Sequence, residues 1–89
     1  MLDVKEAVAA AIEFIKHLYD DKALPDLRLE EVELADDEQY WFVTLGYRNL
    51  VQSNSPLDAI VPPRHERIYK VIKVDALTGR SLAMTIRET

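Results

Sequence analysis

The chain has 89 residues, 48% hydrophobic and 30% charged, with no cysteine and a formal net charge of −5. That length gives one domain over residues 1–89, with a core only just large enough to hold itself together. The lack of cysteine excludes disulfides, thiol nucleophiles and thiolate metal sites, and net acidity disfavours general binding to phosphate backbones.

The charge is uneven. Residues 1–45 hold four Lys/Arg and twelve Asp/Glu, a balance of −8, and residues 46–89 hold seven and four, a balance of +3. Met1 to Tyr19 does not read as a signal segment, because Asp3, Lys5, Glu6, Glu13 and Lys16 interrupt its apolar run. No stretch approaches the roughly 20 apolar residues of a membrane helix. Absent cysteine fits a reducing compartment. The expectation is a soluble, cytoplasmic protein.

Residues 3–19 have the pattern of an amphipathic helix. Val4, Ala7, Val8, Ala11, Ile12, Ile15 and Leu18 recur at spacings of three and four. Asp3 can cap the helix, with Glu6 completing a capping box. Lys16 and His17 suit the negative end of the helix dipole. Pro25 forbids easy continuation.

Leu27 to Leu34 alternates in two phases, Leu27/Leu29 and Val32/Leu34, with a slip at Glu30–Glu31. A strand carrying a bulge explains the slip. Ala35-Asp36-Asp37-Glu38 reads as a hairpin turn.

Gln39 to Arg48 is a strong strand and, being apolar on both faces at its start, a central one. Trp41, Val43, Leu45 and Tyr47 share one face; Tyr40, Phe42, Thr44, Gly46 and Arg48 share the other. Residues 49–65, NLVQSNSPLDAIVPPRH, then form a connection with three prolines and six aliphatic side chains. Connections beyond about 12–15 residues are uncommon unless functional or disordered. Glu66 to Val74 is the third strand, Asp75 to Gly79 a turn in which Gly79 is free to take positive φ, and Ser81 to Arg87 the last strand.

This order predicts an α+β domain, one N-terminal helix packed on a four-stranded antiparallel sheet. The helix stripe is expected to cover Val43, Leu45, Ile72, Val74, Leu82, Met84 and Ile86. Lys70 falls on the same face, so it must either snorkel near a helix end or be rotated out by a bulge.

Groups able to do chemistry do not converge in the sequence. His17 and His65 belong to elements with no reason to meet, and His65-Glu66 is too short for a metal motif. Glu30, Glu31, Glu33, Asp36, Asp37 and Glu38 lack the glycine of a calcium loop and read as a solvated hairpin. No glycine-rich phosphate loop is present, the chain having two glycines in all. No enzyme activity, cofactor or metal is expected, and no nucleic-acid or membrane partner.

Aromatic residues say more. Tyr40, Phe42 and Tyr69 fall on the sheet face away from the helix, beside Val71 and with Arg48, Arg67 and Lys73. In a two-layer protein that face meets water, and tyrosine with arginine is an interface composition. Leu57 and Ile60 in the 49–65 connection are expected to join it, either covering the face or projecting toward a partner.

Tyr69-Lys-Val71-Ile-Lys-Val74-Asp75-Ala-Leu-Thr78-Gly79-Arg80 resembles the end of a PepSY-type domain: a strand, an Asp-x-x-Thr-Gly turn and a final strand. The leading alanine-rich helix and the aromatic strand at 40–47 are similar to that family too. The broader layout is similar to that of cystatins and of some small bacterial immunity and inhibitor proteins. The 49–65 connection is longer than the compact hairpins of PepSY domains. The resemblance implies protein binding, of a kind that restrains peptidases, without catalysis. The expected function is therefore a non-enzymatic protein-binding module of inhibitor, immunity or regulatory type. Its expected contacts are Tyr40, Phe42, Tyr69, Arg48, Arg67, Leu57 and Ile60. Two alternatives stand beside it: a ligand-binding or enzymatic pocket between helix and sheet lined by Tyr47, His65 or Arg67, and a homodimer that buries the open sheet face.

Overall fold

The computed structural model describes residues 1–48 and 67–87. The elements are helix α1 (Val4–Leu18), a short 3-10 turn at Asp21–Ala23, and strands β1 (Arg28–Leu34), β2 (Tyr40–Arg48), β3 (Arg67–Asp75) and β4 (Ser81–Arg87). The strands form one antiparallel sheet in the order β1-β2-β3-β4, which gives the α+β architecture expected from the sequence.

α1 begins where its cap predicts. Asp3 accepts the Glu6 backbone N–H at 2.8 Å, and Glu6 accepts the Asp3 N–H at 3.2 Å. Such a cap contributes about 1 kcal/mol. The helix is then held at both ends of the sheet. On one side the Leu2 N–H donates to the Ala76 carbonyl at 2.7 Å, while the Trp41 indole N–H donates to the Leu2 carbonyl at 3.2 Å. Past the far end, the Arg48 N–H donates to the Pro25 carbonyl at 2.8 Å and Leu24 is buried.

The centre of the helix stripe is Ala7, Ala11 and Ile15, which lie against Val43, Leu45, Ile72 and Val74; all seven are 0% exposed. Two alanines at one helical spacing let the backbone come close to the sheet, and there they leave room for the branched side chains beneath.

The sheet follows the expected alternation with two breaks. Between Leu29 and Glu31 the β1–β2 register shifts, which leaves Glu30 as the extra residue of the bulge that the sequence slip indicates. A second shift between Lys73 and Val74 makes Leu82 an extra residue near the start of β4. Its consequence is a correction to the expected packing. Leu82 is 47% and Ile86 68% exposed, so the helix does not cover them. A single helix spans the middle of a four-stranded sheet and leaves the two ends of the edge strand β4, at Leu82 and Ile86, outside its cover. Met84, opposite Ile72, is the residue of β4 that packs on the core.

Lys70 takes the helix side, opposite Leu45 and Ile86, in unbroken register. It is half-buried at this uncovered flank, where a lysine stem can pack while its ammonium reaches water.

The β3–β4 turn explains its own sequence. One Asp75 carboxylate oxygen accepts the N–H groups of Leu77 at 2.8 Å and Thr78 at 3.0 Å, and the Thr78 hydroxyl accepts the Arg80 N–H at 3.3 Å. Gly79 has φ of +78°, where a side chain would be strained. Every residue of the Asp-x-x-Thr-Gly motif is thus used in making the hairpin.

Candidate interaction surface

The face of the sheet away from α1 is built by cross-strand pairs. Tyr40 stands opposite Asp75, Phe42 opposite Lys73, Thr44 opposite Val71, Gly46 opposite Tyr69, and Arg48 opposite Arg67. Of the residues expected to form a site, Tyr40, Phe42, Arg48, Arg67 and Tyr69 therefore share this one face. Leu57 and Ile60, with the rest of the 49–65 connection, lie outside the described residues.

The face is not the bare apolar patch that two-layer packing predicts. Tyr40, Phe42 and Tyr69 are each half-buried, and Thr44 at its middle is only 4% exposed. Charged side chains lie along the sheet and cover its centre. Arg87 of β4 forms an ion pair with Glu31 of β1, so the two edge strands are joined over the central pair. Glu31, Glu33, Phe42, Thr44, Val71 and Arg87 line a shallow hollow there. At the Tyr40 end, the Lys73 ammonium sits 4.0 Å from the centre of the Tyr40 ring, a cation–π contact between diagonal neighbours.

Toward the other end, Arg48 and Arg67 are directly opposite, an arrangement that costs energy unless carboxylates intervene. They do at Arg67. Its guanidinium donates to the Asp26 carboxylate at 2.9 Å, the Asp26 carbonyl at 3.1 Å and the Glu30 carboxylate at 3.0 Å. Glu30 reaches it by lying over Gly46, where a Cβ would come within 2.7 Å of the Glu30 carboxylate and 2.8 Å of its Cγ. The bulge, the glycine and the arginine are one device. The bulge turns Glu30 onto this face, the glycine makes space for it, and Arg67 holds it.

Asp26 has φ of +57° and is shared by Arg28 and Arg67. The hydrogen bond from Arg28, with the charges of both arginines, lowers the Asp26 carboxyl below the usual carboxylate value. The Glu31 carboxylate likewise raises Arg87. The Arg28–Asp26 and Arg87–Glu31 pairs lie at the surface and set side-chain geometry more than stability, whereas Arg67 is only 19% exposed.

Asp26, Thr44 and Arg87 are not among the contacts expected from sequence. The signal for Glu30 was present in the phase slip at Glu30–Glu31. Arg87 carries no such signal, because its partner lies three strands away.

Between helix and sheet the centre of the layer is packed, and a shallow apolar hollow opens at its β1 side, lined by Val4, Lys5, Val8, Ala9, Ile12 and Leu29. Ala7, Ala11, Ile15, Val43, Leu45, Ile72 and Val74 close the helix–sheet layer, and Tyr47 is 7% exposed within it. Arg67 belongs to the opposite sheet face from Tyr47. His17 is exposed beside Glu13, 3.7 Å away, and His65 lies outside the described residues. Among the described residues, no group of three or more His, Asp or Glu is placed to hold a metal ion, and no helix is long and apolar enough to cross a membrane.

No protein-family model matches the chain, and neither a curated protein nor a solved structure matches it.

Proposed function

We propose that this domain is a non-enzymatic protein-binding module of inhibitor, immunity or regulatory type, and that it acts by occluding its partner with the helix-free sheet face. The observation that carries this reading is the row Tyr40, Phe42, Val71 and Tyr69 on a face over which, among the described residues, no second layer lies, flanked by Arg28, Arg48, Arg67, Lys73 and Arg87. Half-buried aromatics framed by guanidinium groups are the composition of interface centres. The resemblance of residues 69–80 to the end of PepSY domains points the same way.

The test is affinity capture from the source organism with three baits: the wild-type chain, Tyr69→Glu on the sheet face, and Lys5→Glu on the exposed side of α1. A protein recovered by wild type and Lys5→Glu but lost with Tyr69→Glu supports the reading. Equal recovery on all three baits overturns the assignment of this face.

A further inference from the structure

Among the described residues the sheet has two edges without a further strand, β1 and β4, and they are built differently. β1 carries Arg28, Glu30, Glu31 and Glu33 and a bulge in mid-strand. Charge and bulges are how proteins keep other strands off an edge. β4 has no such guard along most of its length. After the irregularity at Leu82, Ala83 to Arg87 runs in unbroken register against Lys73 to Tyr69. Its sequence there, Ala-Met-Thr-Ile-Arg, holds one charged residue, and Arg87 is already engaged by Glu31. Among the described residues, no strand lies on the outer side of β4. Ile86 beside that edge is 68% exposed and Leu82 47%.

An open edge of this kind takes an extended strand, because only a strand satisfies its row of backbone N–H and C=O groups. We propose that the strand is β4 of a second copy of this chain, paired antiparallel about a two-fold axis through Thr85. The argument for a second copy is self-complementarity. In that register Met84 faces Ile86 of the second copy and Ile86 faces its Met84, both on the helix side. Thr85 faces its own equivalent on the other side. Arg87, the one charge of the segment, faces Ala83 and never another arginine. Exposed Ile86 thereby gains an apolar neighbour that α1 does not give it. The product is a continuous sheet of eight strands, four from each copy, with both helices on one face. It is also closed. Head-to-tail addition of β1 onto β4 would propagate into a fibre, and the β1 bulge and carboxylates oppose that. The proposal concerns an edge, not the Tyr40/Phe42/Tyr69 face, and stands independently of the function assigned to that face.

Sedimentation equilibrium of the full chain between about 1 and 200 µM tests it, a range that registers dissociation constants up to roughly its upper limit. The expected result is a monomer–dimer equilibrium that Ile86→Lys shifts at least about tenfold toward monomer, with the circular dichroism spectrum unchanged. The register is read separately, because the chain has no cysteine of its own. Thr85→Cys should cross-link rapidly through a short bis-maleimide, whereas Leu77→Cys, on a turn and 80% exposed, should not. A wild-type chain that stays monomeric to 200 µM (about the upper limit of the experiment) overturns the proposal. So does a dimer that Ile86→Lys leaves intact, or one in which Thr85→Cys links no faster than Leu77→Cys.

Discussion

Arg87 and Glu31 belong to strands at opposite edges of the sheet, and their side chains meet over its centre. Three inter-strand intervals separate those edges, about 14 Å at the usual spacing. The pair can close only if both side chains lie along the sheet, and in doing so they shield Thr44 and Val71. Removing either partner should therefore affect access to the face more than it affects stability, since both side chains are about half exposed. Arg87→Ala and Glu31→Ala are each expected to leave the unfolding midpoint close to wild type and to increase binding of an apolar dye. High salt should raise dye binding of the wild-type chain toward the level of the variants. Dye fluorescence titrated with salt, alongside urea unfolding, checks both halves.

The fit of Glu30 over Gly46 predicts a conditional mutation. Gly46→Ala forces Glu30 aside and breaks its contact with Arg67, so a loss of about 1–3 kcal/mol is expected, the usual range for overpacking. In a Glu30→Ala background the obstacle is gone, and the same substitution should be neutral or slightly stabilising, because alanine restricts the unfolded chain. A double-mutant cycle by urea denaturation measures the difference.

Close approach of α1 to the sheet rests on Ala7 and Ala11. Ala11→Leu should cost about 1–3 kcal/mol by overpacking. Ile15→Ala, at an equally buried site, should cost about 2–5 kcal/mol through the cavity it leaves. In a domain this small either change is a large fraction of total stability, and the melting temperature by circular dichroism reads it directly.

Acid should weaken the fold through Asp75 and Asp26. Backbone N–H groups of Thr78 and then Leu77 lower the Asp75 carboxyl, and the hydrogen bond from Arg28 lowers that of Asp26. A carboxyl whose folded pKa is depressed contributes stability that is fully present above its unfolded value, about 3.9, and lost as pH falls through the folded value. Unfolding midpoints should thus decline below about pH 4. Asp75→Asn should flatten that decline, because asparagine keeps an acceptor for the turn N–H groups without titrating. Denaturation series across this range for both chains make the comparison.

The fold was legible because its determinants are local. Asp3 and Glu6 announce the helix start, Asp75, Thr78 and Gly79 announce a turn, and the alternation of Trp41, Val43, Leu45 and Tyr47 sets the buried face of β2. Even the β1 bulge is visible, as a break of phase between Leu29 and Val32. Leu82 and Ile86 misled because alternation indicates a face but not how far one helix reaches across it. The cover over Thr44 was invisible for a different reason. It depends on Arg87 meeting Glu31 across 56 positions of sequence, and nothing near either residue specifies the other. Sheet-face composition could therefore be read from sequence, and its exposure could not.

Trp41 is the only tryptophan in the chain, and its indole N–H is bonded to the Leu2 carbonyl, one residue before the helix cap. The molecule thereby carries its own optical gauge of how firmly α1 is seated. Release of residues 1–3 would hydrate the indole and red-shift its emission, while the far-ultraviolet signal of the sheet stayed in place. Fraying of the amino terminus and global unfolding can then be told apart in unlabelled wild-type protein.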